Sequence, residues 1–290
     1  MANLMQLLAI SDLHLSQASN KDAILKMSDH GDDWLIIGGD ISEKPELHEF
    51  LFKELNKRFG KIIWVPGNHD LWTEDARDQQ IERGVDKYNL LVELSRSFGV
   101  ITPEDPFVEW PEKLQDREGS LIIAPLFLLY DYSFRPKSVS RENIKDWVRQ
   151  VHAECSDEFL LHPTPYESRE QWCKARCDFS IDKLSDIPST STTVLINHWP
   201  LRLDLINLPR VPRFTPWCGT KITHDWHKKF RASVVISGHL HTRRTDFIDE
   251  CRFEEVSLGY KRQWNPDLGI DYYLRQIIPF VKTEFIRTSH

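Results

Sequence analysis

The chain has 290 residues and carries 37 Lys+Arg against 44 Asp+Glu, a formal charge of −7. With 40% hydrophobic and 28% charged residues, it falls among globular sequences, away from disordered ones, and is long enough to bury a core without staples. The acidic balance excludes a protein that coats nucleic acid or an anionic membrane surface, and no run approaches the ~20 apolar residues of a membrane-spanning helix.

Taken in chain order, the first third alternates strand and helix. Gln6–Ile10, Trp34–Ile37 and Lys61–Val65 are short apolar runs, each closed by Ser, Gly or Pro and a polar cluster. Between the second and third, Glu43–Phe59 places Leu47, Phe50, Leu51, Leu55 and Phe59 on one helical stripe, with Ser42 as N-cap and Gly60 just past the end. A second helix is expected over Ile81–Phe98, stopped by Gly99. This rhythm predicts parallel strands joined by crossovers, with functional loops at their carboxyl ends. Leu121–Leu128 reads as a further strand. Residues 130–190 are polar, helix-prone and dotted with aromatics, too long for a bare loop, and are expected to form an inserted helical cap over the site. Strands return at Thr193–Ile196, Ser233–Ile236 and Arg252–Ser257. The fold class expected is α/β, in a single domain spanning 1–290.

Five cysteines, none in a CxxC spacing, point to reduced thiols and a cytoplasmic location. The run Leu7–Ile10 leads straight into Asp12 and His14, which are candidate site residues, so it is read as part of the fold and not as a removable leader.

The chemistry collects just beyond the strands. Five strand ends bear Asp12-Leu13-His14, Gly39-Asp40, Gly67-Asn68-His69-Asp70, Asn197-His198 and Gly238-His239-Leu240-His241. In an extended backbone residues i and i+2 share a side, so Asp12 with His14, and His239 with His241, are expected to face one pocket. A single histidine after a strand is ordinarily solvated or satisfied in the core, and Gly-Asn alone is a turn; that bland reading would have to hold five times on one face. Carboxylates and imidazoles without thiolates describe a borderline metal site for Mn, Fe or Zn. Asp12, His14, Asp40, Asn68, His198, His239 and His241 make seven candidate ligands, too many for one catalytic ion that keeps a position open, and suited to two ions sharing a carboxylate. The reaction expected is hydrolysis of a phosphate ester by a metal-bridging hydroxide, with Mn the ion expected to support activity in vitro.

This ordered set resembles the calcineurin-like metallophosphoesterases, whose five blocks span Asp12 to His241 here in order. The resemblance implies a sandwich of two mixed β-sheets flanked by helices. It also implies one ion held by Asp12, His14, Asp40 and His241, and a second by Asp40, Asn68, His198 and His239. His69 would act on the leaving oxygen, oriented by Asp70. The second block continues as Ile41-Ser42-Glu43, unlike the GDxVDRG of the protein Ser/Thr phosphatases. Trp217-Cys218-Gly219-Thr220, the residues around His239–Thr245, Phe253–Tyr260 and Tyr130–Arg135 look similar to bacterial phosphopantetheinyl hydrolases, which cut a phosphodiester to free phosphopantetheine from an acyl carrier protein. Arg202, Arg243 and Arg244, just beyond the histidine motifs, are expected to meet phosphate oxygens, and Tyr130 to line a groove for the arm. The competing expectations are a nucleotide, cyclic nucleotide or small phosphomonoester as substrate, or a non-enzymatic interaction module on the same fold.

Overall fold

A computed structural model describes residues 4–73, 82–112 and 119–280. In chain order the elements are β1 (Leu7–Ile10), α1 (Ala18–Leu25), β2 (Trp34–Ile37), α2 (Pro45–Leu55), β3 (Lys61–Trp64), α3 (Asn68–Leu71), α4 (Val85–Ser97), β4 (Val108–Glu109) and β5 (Leu121–Pro125). There follow α5 (Ile144–Arg149), α6 (Asp157–Leu160), α7 (Arg169–Ser185), β6 (Thr192–Ile196), α8 (Trp226–Lys229), β7 (Ala232–Ser237), β8 (Thr245–Ile248), β9 (Cys251–Glu255) and β10 (Arg275–Ile278). Helix α2 starts two residues later than the stripe suggested, at Pro45, whose fixed φ suits a first turn. Ser42 instead accepts from the Lys44 amide. Helix α4 begins at Val85, after Gly84 with φ 60°, later than the expected Ile81, which itself lies outside the described residues.

Two mixed sheets result. One has the order β10-β1-β2-β3, the other β4-β5-β6-β7-β9-β8. Their interiors, β1-β2-β3 and β5-β6-β7-β9, are parallel, and antiparallel strands close the edges at β10, β4 and β8. The period-2 alternation of side chains explains the layering. Leu7, Ala9, Ile36 and Ile63 of the first sheet meet Ile123, Val194, Val234 and Ile236 of the second in a dry core between them. The alternate residues Leu8, Ile10, Leu35, Ile37, Ile62 and Trp64 face outward and take Leu51, Phe52 and Leu55 of α2 and Leu91 and Val92 of α4. Both faces of the parallel strands are therefore covered, which is why they read as continuous apolar runs.

The sheets are stitched together at one end. Ser11, just beyond β1, pairs with Ser257, just beyond β9, as an isolated parallel bridge. The Leu258 amide donates to Ser11 O at 2.8 Å, and the Gly259 amide to Asp12 O at 3.0 Å. Loops that leave the carboxyl ends of strands in both sheets meet there. Three helices, α5, α6 and α7, lie between residues 130 and 190. Their buried residues Ile144, Val148, Trp172, Cys173 and Leu184 join the outer core with Phe127 and Leu129.

Candidate metal centre

The backbone at the site is not extended. Asp12, His14, Asp40, His239 and His241 all have positive φ, between 43° and 72°. The expectation that Asp12/His14 and His239/His241 converge by strand alternation is thus corrected: the pairs do converge, but through left-handed turns beyond the strands. Non-glycine residues in this region cost of order 1–3 kcal/mol each and persist only where the surroundings impose them.

The surroundings that impose it are carboxylates accepting backbone amides. Asp70 accepts from the amides of Asp40 (2.9 Å), Ile41 (2.8 Å), Ser42 (3.1 Å) and Gly67 (2.8 Å), and lies 3.1 Å from His48 Nε2. It ties two strand-end loops together, and its contacts do not include the His69 ring it was expected to orient. Burial raises the Asp70 pKa, but His48 and the donated amides outweigh burial and hold the pKa below its ordinary value. Glu255 does the same for the last motif, accepting from the amides of His241, Thr242 and Arg243. Asp12 Oδ2 accepts from Ser11 Oγ, Ser257 Oγ and the His239 amide. Glycine permits the close approach: a Cβ at Gly67 would collide with Asp40 Oδ1 and lie 2.7 Å from Asp40 N.

On this frame the seven candidate ligands come together. Asp12, His14 and His241 offer ligand atoms within 4.8 Å of one another, and so do Asp12, Asp40 and His198. His241 Nε2 lies 2.9 Å from Asp12 Oδ1 and 3.3 Å from His14 Nε2. Asn68 Oδ1 lies 3.2 Å from His198 Nε2 and 3.1 Å from His239 Nδ1, and His198 Nε2 lies 3.5 Å from Asp40 Oδ2. The far ring nitrogens are already engaged: His198 Nδ1 donates to Gly38 O at 2.8 Å, His241 Nδ1 to Gln263 Oε1 at 2.8 Å, and the ring of His239 bonds the Trp217 backbone. This is the support that orients metal-ligating imidazoles.

Electrostatics point the same way. Burial, then the charges of Asp12 and Asp70, push the Asp40 pKa well up. Burial and the neighbouring imidazoles bring His239 down to about 3, leaving it neutral. For His241 burial works downward, but the Asp12 carboxylate prevails and raises it to about 9. Crowded buried carboxylates and imidazoles converging on one volume form a donor set that fits divalent or trivalent cations.

His69 packs against His14, ring centroids 4.6 Å apart, and against Trp72 at 3.6 Å. Its pKa falls to about 3 because burial, helped by the other histidines, outweighs the upward pull of Asp12. It borders a cavity of about 610 Å³ whose inner end is lined by Asp40, Asn68, His239 and His241, and whose outer walls are Cys155, Leu208, Pro209, Val211, Phe214 and Trp217.

The residues expected to meet substrate lie elsewhere. Arg202 is 7% exposed and bonds Asp204 at 2.9 and 2.6 Å; Arg244 bonds Asp246 at 2.5 Å; Arg243 reaches Tyr273 O at 3.1 Å. None lines the cavity, and Tyr130 is fully buried behind it, edge-on to Tyr132 and Trp199. Asp157 was not anticipated. It is 1% exposed, and its Oδ1 accepts from Asn68 Nδ2 at 3.1 Å and Trp72 Nε1 at 2.7 Å. By engaging the amide nitrogen it turns Asn68 Oδ1 toward the histidines. A lone Asp on a short helix far along the chain gives no signal of this.

The sequence profile described as calcineurin-like phosphoesterase matches residues 5–243. The chain is 41% identical over 273 residues, 93% of its length and 82% of the relative's, to the acyl-carrier-protein phosphodiesterase PptH of Mycobacterium tuberculosis. The crystal structure of phosphopantetheinyl hydrolase PptH from Mycobacterium tuberculosis superposes with a TM-score of 0.87 at 40% identity, covering 95% of this chain and 96% of that one. Two mixed sheets flanked by helices, as expected, are common to both.

The frame itself can be tested. Gly67→Ala must displace Asp40, so it should cost about 1–3 kcal/mol in chemical denaturation and reduce the metal retained per chain on elemental analysis. Asp157→Ala strands two buried donors at about 1–3 kcal/mol each. Asp157→Asn keeps an acceptor oxygen and should hold more metal than Asp157→Ala in the same measurement.

Proposed function

The chain belongs to the calcineurin-like phosphoesterase family, and from that premise we propose that it is a metal-dependent phosphodiesterase that releases phosphopantetheine from a holo acyl carrier protein. The relative's name supports the substrate, through 41% identity across nearly the whole chain. The observation that carries the reading is the cavity: oxygen and nitrogen donors gathered at its inner end, with Cys155, Leu208, Pro209, Val211, Phe214 and Trp217 forming apolar stretches of its walls. A polar end suits the phosphate, and the apolar stretches of wall suit a long, mostly neutral arm. We read residues 1–290 as one domain in which 130–190 is an insertion walling the site, through Glu154, Cys155, Ser156 and Asp157.

In this proposal Asp12, His14, Asp40 and His241 hold one ion, and Asp40, Asn68, His198 and His239 the other. When bound, two such ions supply Lewis acidity toward a phosphoryl group and lower the pKa of water. The His-rich set favours manganese over magnesium. The protein's own part is positional. Asp70 and Glu255 fix the loops, and Trp72 and Tyr260 flank the reacting volume; Tyr260 stacks on His14 at 4.4 Å. His69, neutral at physiological pH, donates a ring N–H hydrogen bond to the leaving oxygen as the phosphorus–oxygen bond breaks. A cytoplasmic location is supported by five free thiols, and no helix among the described residues is long and apolar enough to cross a membrane.

Chelation should abolish hydrolysis of bis-p-nitrophenyl phosphate, with Mn²⁺ restoring more of it than Mg²⁺. Asp40→Ala should lose turnover together with bound metal; full activity in metal-stripped Asp40→Ala protein would refute the centre. His69→Ala should slow turnover by about 10²–10³-fold with metal content unchanged. Release of phosphopantetheine from holo-carrier protein, measured against nucleotide and phosphomonoester panels, tests the substrate.

A further inference from the structure

Arg210 and Arg262 differ from every other described arginine. The rest all have interaction partners; Arg58, Arg96, Arg141, Arg149, Arg169 and Arg176, for example, each bind a glutamate. Neither Arg210 nor Arg262 forms a hydrogen bond or ion pair with a described residue, and both are exposed while lining the cavity. They come from remote parts of the chain, one from the loop after β6 and the other from the turn that follows Tyr260.

The acidic groups along the same walls do not neutralise them. Glu154 is paired with Arg149, Asp157 is taken by Asn68 and Trp72, and Asp40 lies at the inner end with the histidines. The mouth therefore keeps two uncompensated positive charges on a chain whose net charge is −7. The scissile phosphate belongs at the inner end, and the arm it carries is mostly neutral, so neither supplies an anion at the rim. Beside Arg210 the rim also exposes Val211, 40% accessible, and free arginine next to apolar surface is the composition of a protein-binding patch.

We propose that Arg210 and Arg262 dock an acidic face of the carrier protein next to its phosphodiester, holding the protein moiety while the phosphate enters the cavity. This rests on the carrier-protein reading of the site. Charged rims of this kind act chiefly on association and specificity and are screened by salt.

The test compares wild type with Arg210→Glu/Arg262→Glu and the milder Arg210→Gln/Arg262→Gln, on holo-carrier protein and on bis-p-nitrophenyl phosphate, across a salt series. Both positions are exposed, so folding is checked by an unchanged melting temperature. The expected result is at least a tenfold fall in kcat/KM for carrier protein relative to the small diester, carried by KM. The charge-neutral pair should lose less, and the steep salt dependence of wild type on carrier protein should flatten in both variants. Equal losses on the two substrates would place the arginines on the phosphate itself and overturn the docking role, as would no loss on either. Wild type that cleaves the small diester but leaves holo-carrier protein intact overturns the carrier-protein reading, and the docking proposal with it.

Discussion

Four aspartates are buried around one pocket, and the rest of the structure answers to that constraint. Asp12, Asp40, Asp70 and Asp157 are each at most 2% exposed, and an unpaired buried carboxylate is among the costliest groups a fold can contain. Two have solutions within the protein: Asp70 takes backbone amides and His48, and Asp12 takes two serine hydroxyls, an amide and His241; Asp157 satisfies one oxygen with an amide and an indole, and burial still raises its pKa. Asp40 is the most crowded by other carboxylates. One oxygen accepts the His69 amide at 2.8 Å, while the other faces His198 at 3.5 Å. Burial, then the charges of Asp12 and Asp70, raise its pKa, and a cation bound there would offset that crowding.

The amide-bound carboxylates do more than satisfy themselves. Loops in which Asp12, His14, Asp40, His239 and His241 all adopt left-handed backbone would relax if released. Asp70 spans the loops after β2 and β3, and Glu255 clamps the three residues from His241 to Arg243. Strain in the liganding residues and rigidity in the residues behind them are two sides of one arrangement. Donor atoms held in place before any ion arrives need little rearrangement to bind it.

Much of this was legible in the sequence, and the failures have physical reasons. Strand interiors showed themselves because both faces are buried, so β1, β2, β3, β6 and β7 appear as unbroken apolar runs. Edge strands did not: β10 reads Arg-Gln-Ile-Ile and β8 Thr-Asp-Phe-Ile, polar enough to pass for loop. The candidate ligands could be picked out by residue type at strand ends, although Asp12, His14, Asp40, His239 and His241 come together through left-handed turns and not through strand alternation. Roles that depend on where an oxygen points were not legible. Asp70 sits next to His69 in sequence yet serves the backbone; Glu255 falls in the Phe253–Tyr260 segment with nothing to mark it as a backbone clamp, and Asp157 lies in no motif. The arginines had a readable warning: Arg202 and Arg244 each precede an aspartate by two residues, Asp204 and Asp246, and each is claimed by it.

Asp157 also joins the wall of the cavity to the donors at its floor. It belongs to the segment between residues 130 and 190 that walls the cavity, and it touches Asn68 at the inner end. One buried oxygen sets the amide of a candidate ligand, while the residues just before it, Cys155 and Ser156, shape the space beyond. A segment that only covered the site could be exchanged without effect on the ions. This one cannot, because its removal would free the Asn68 amide to rotate and expose the Trp72 indole nitrogen that Asp157 holds. Part of the cavity wall and one support of the Asn68 donor are therefore the same piece of chain.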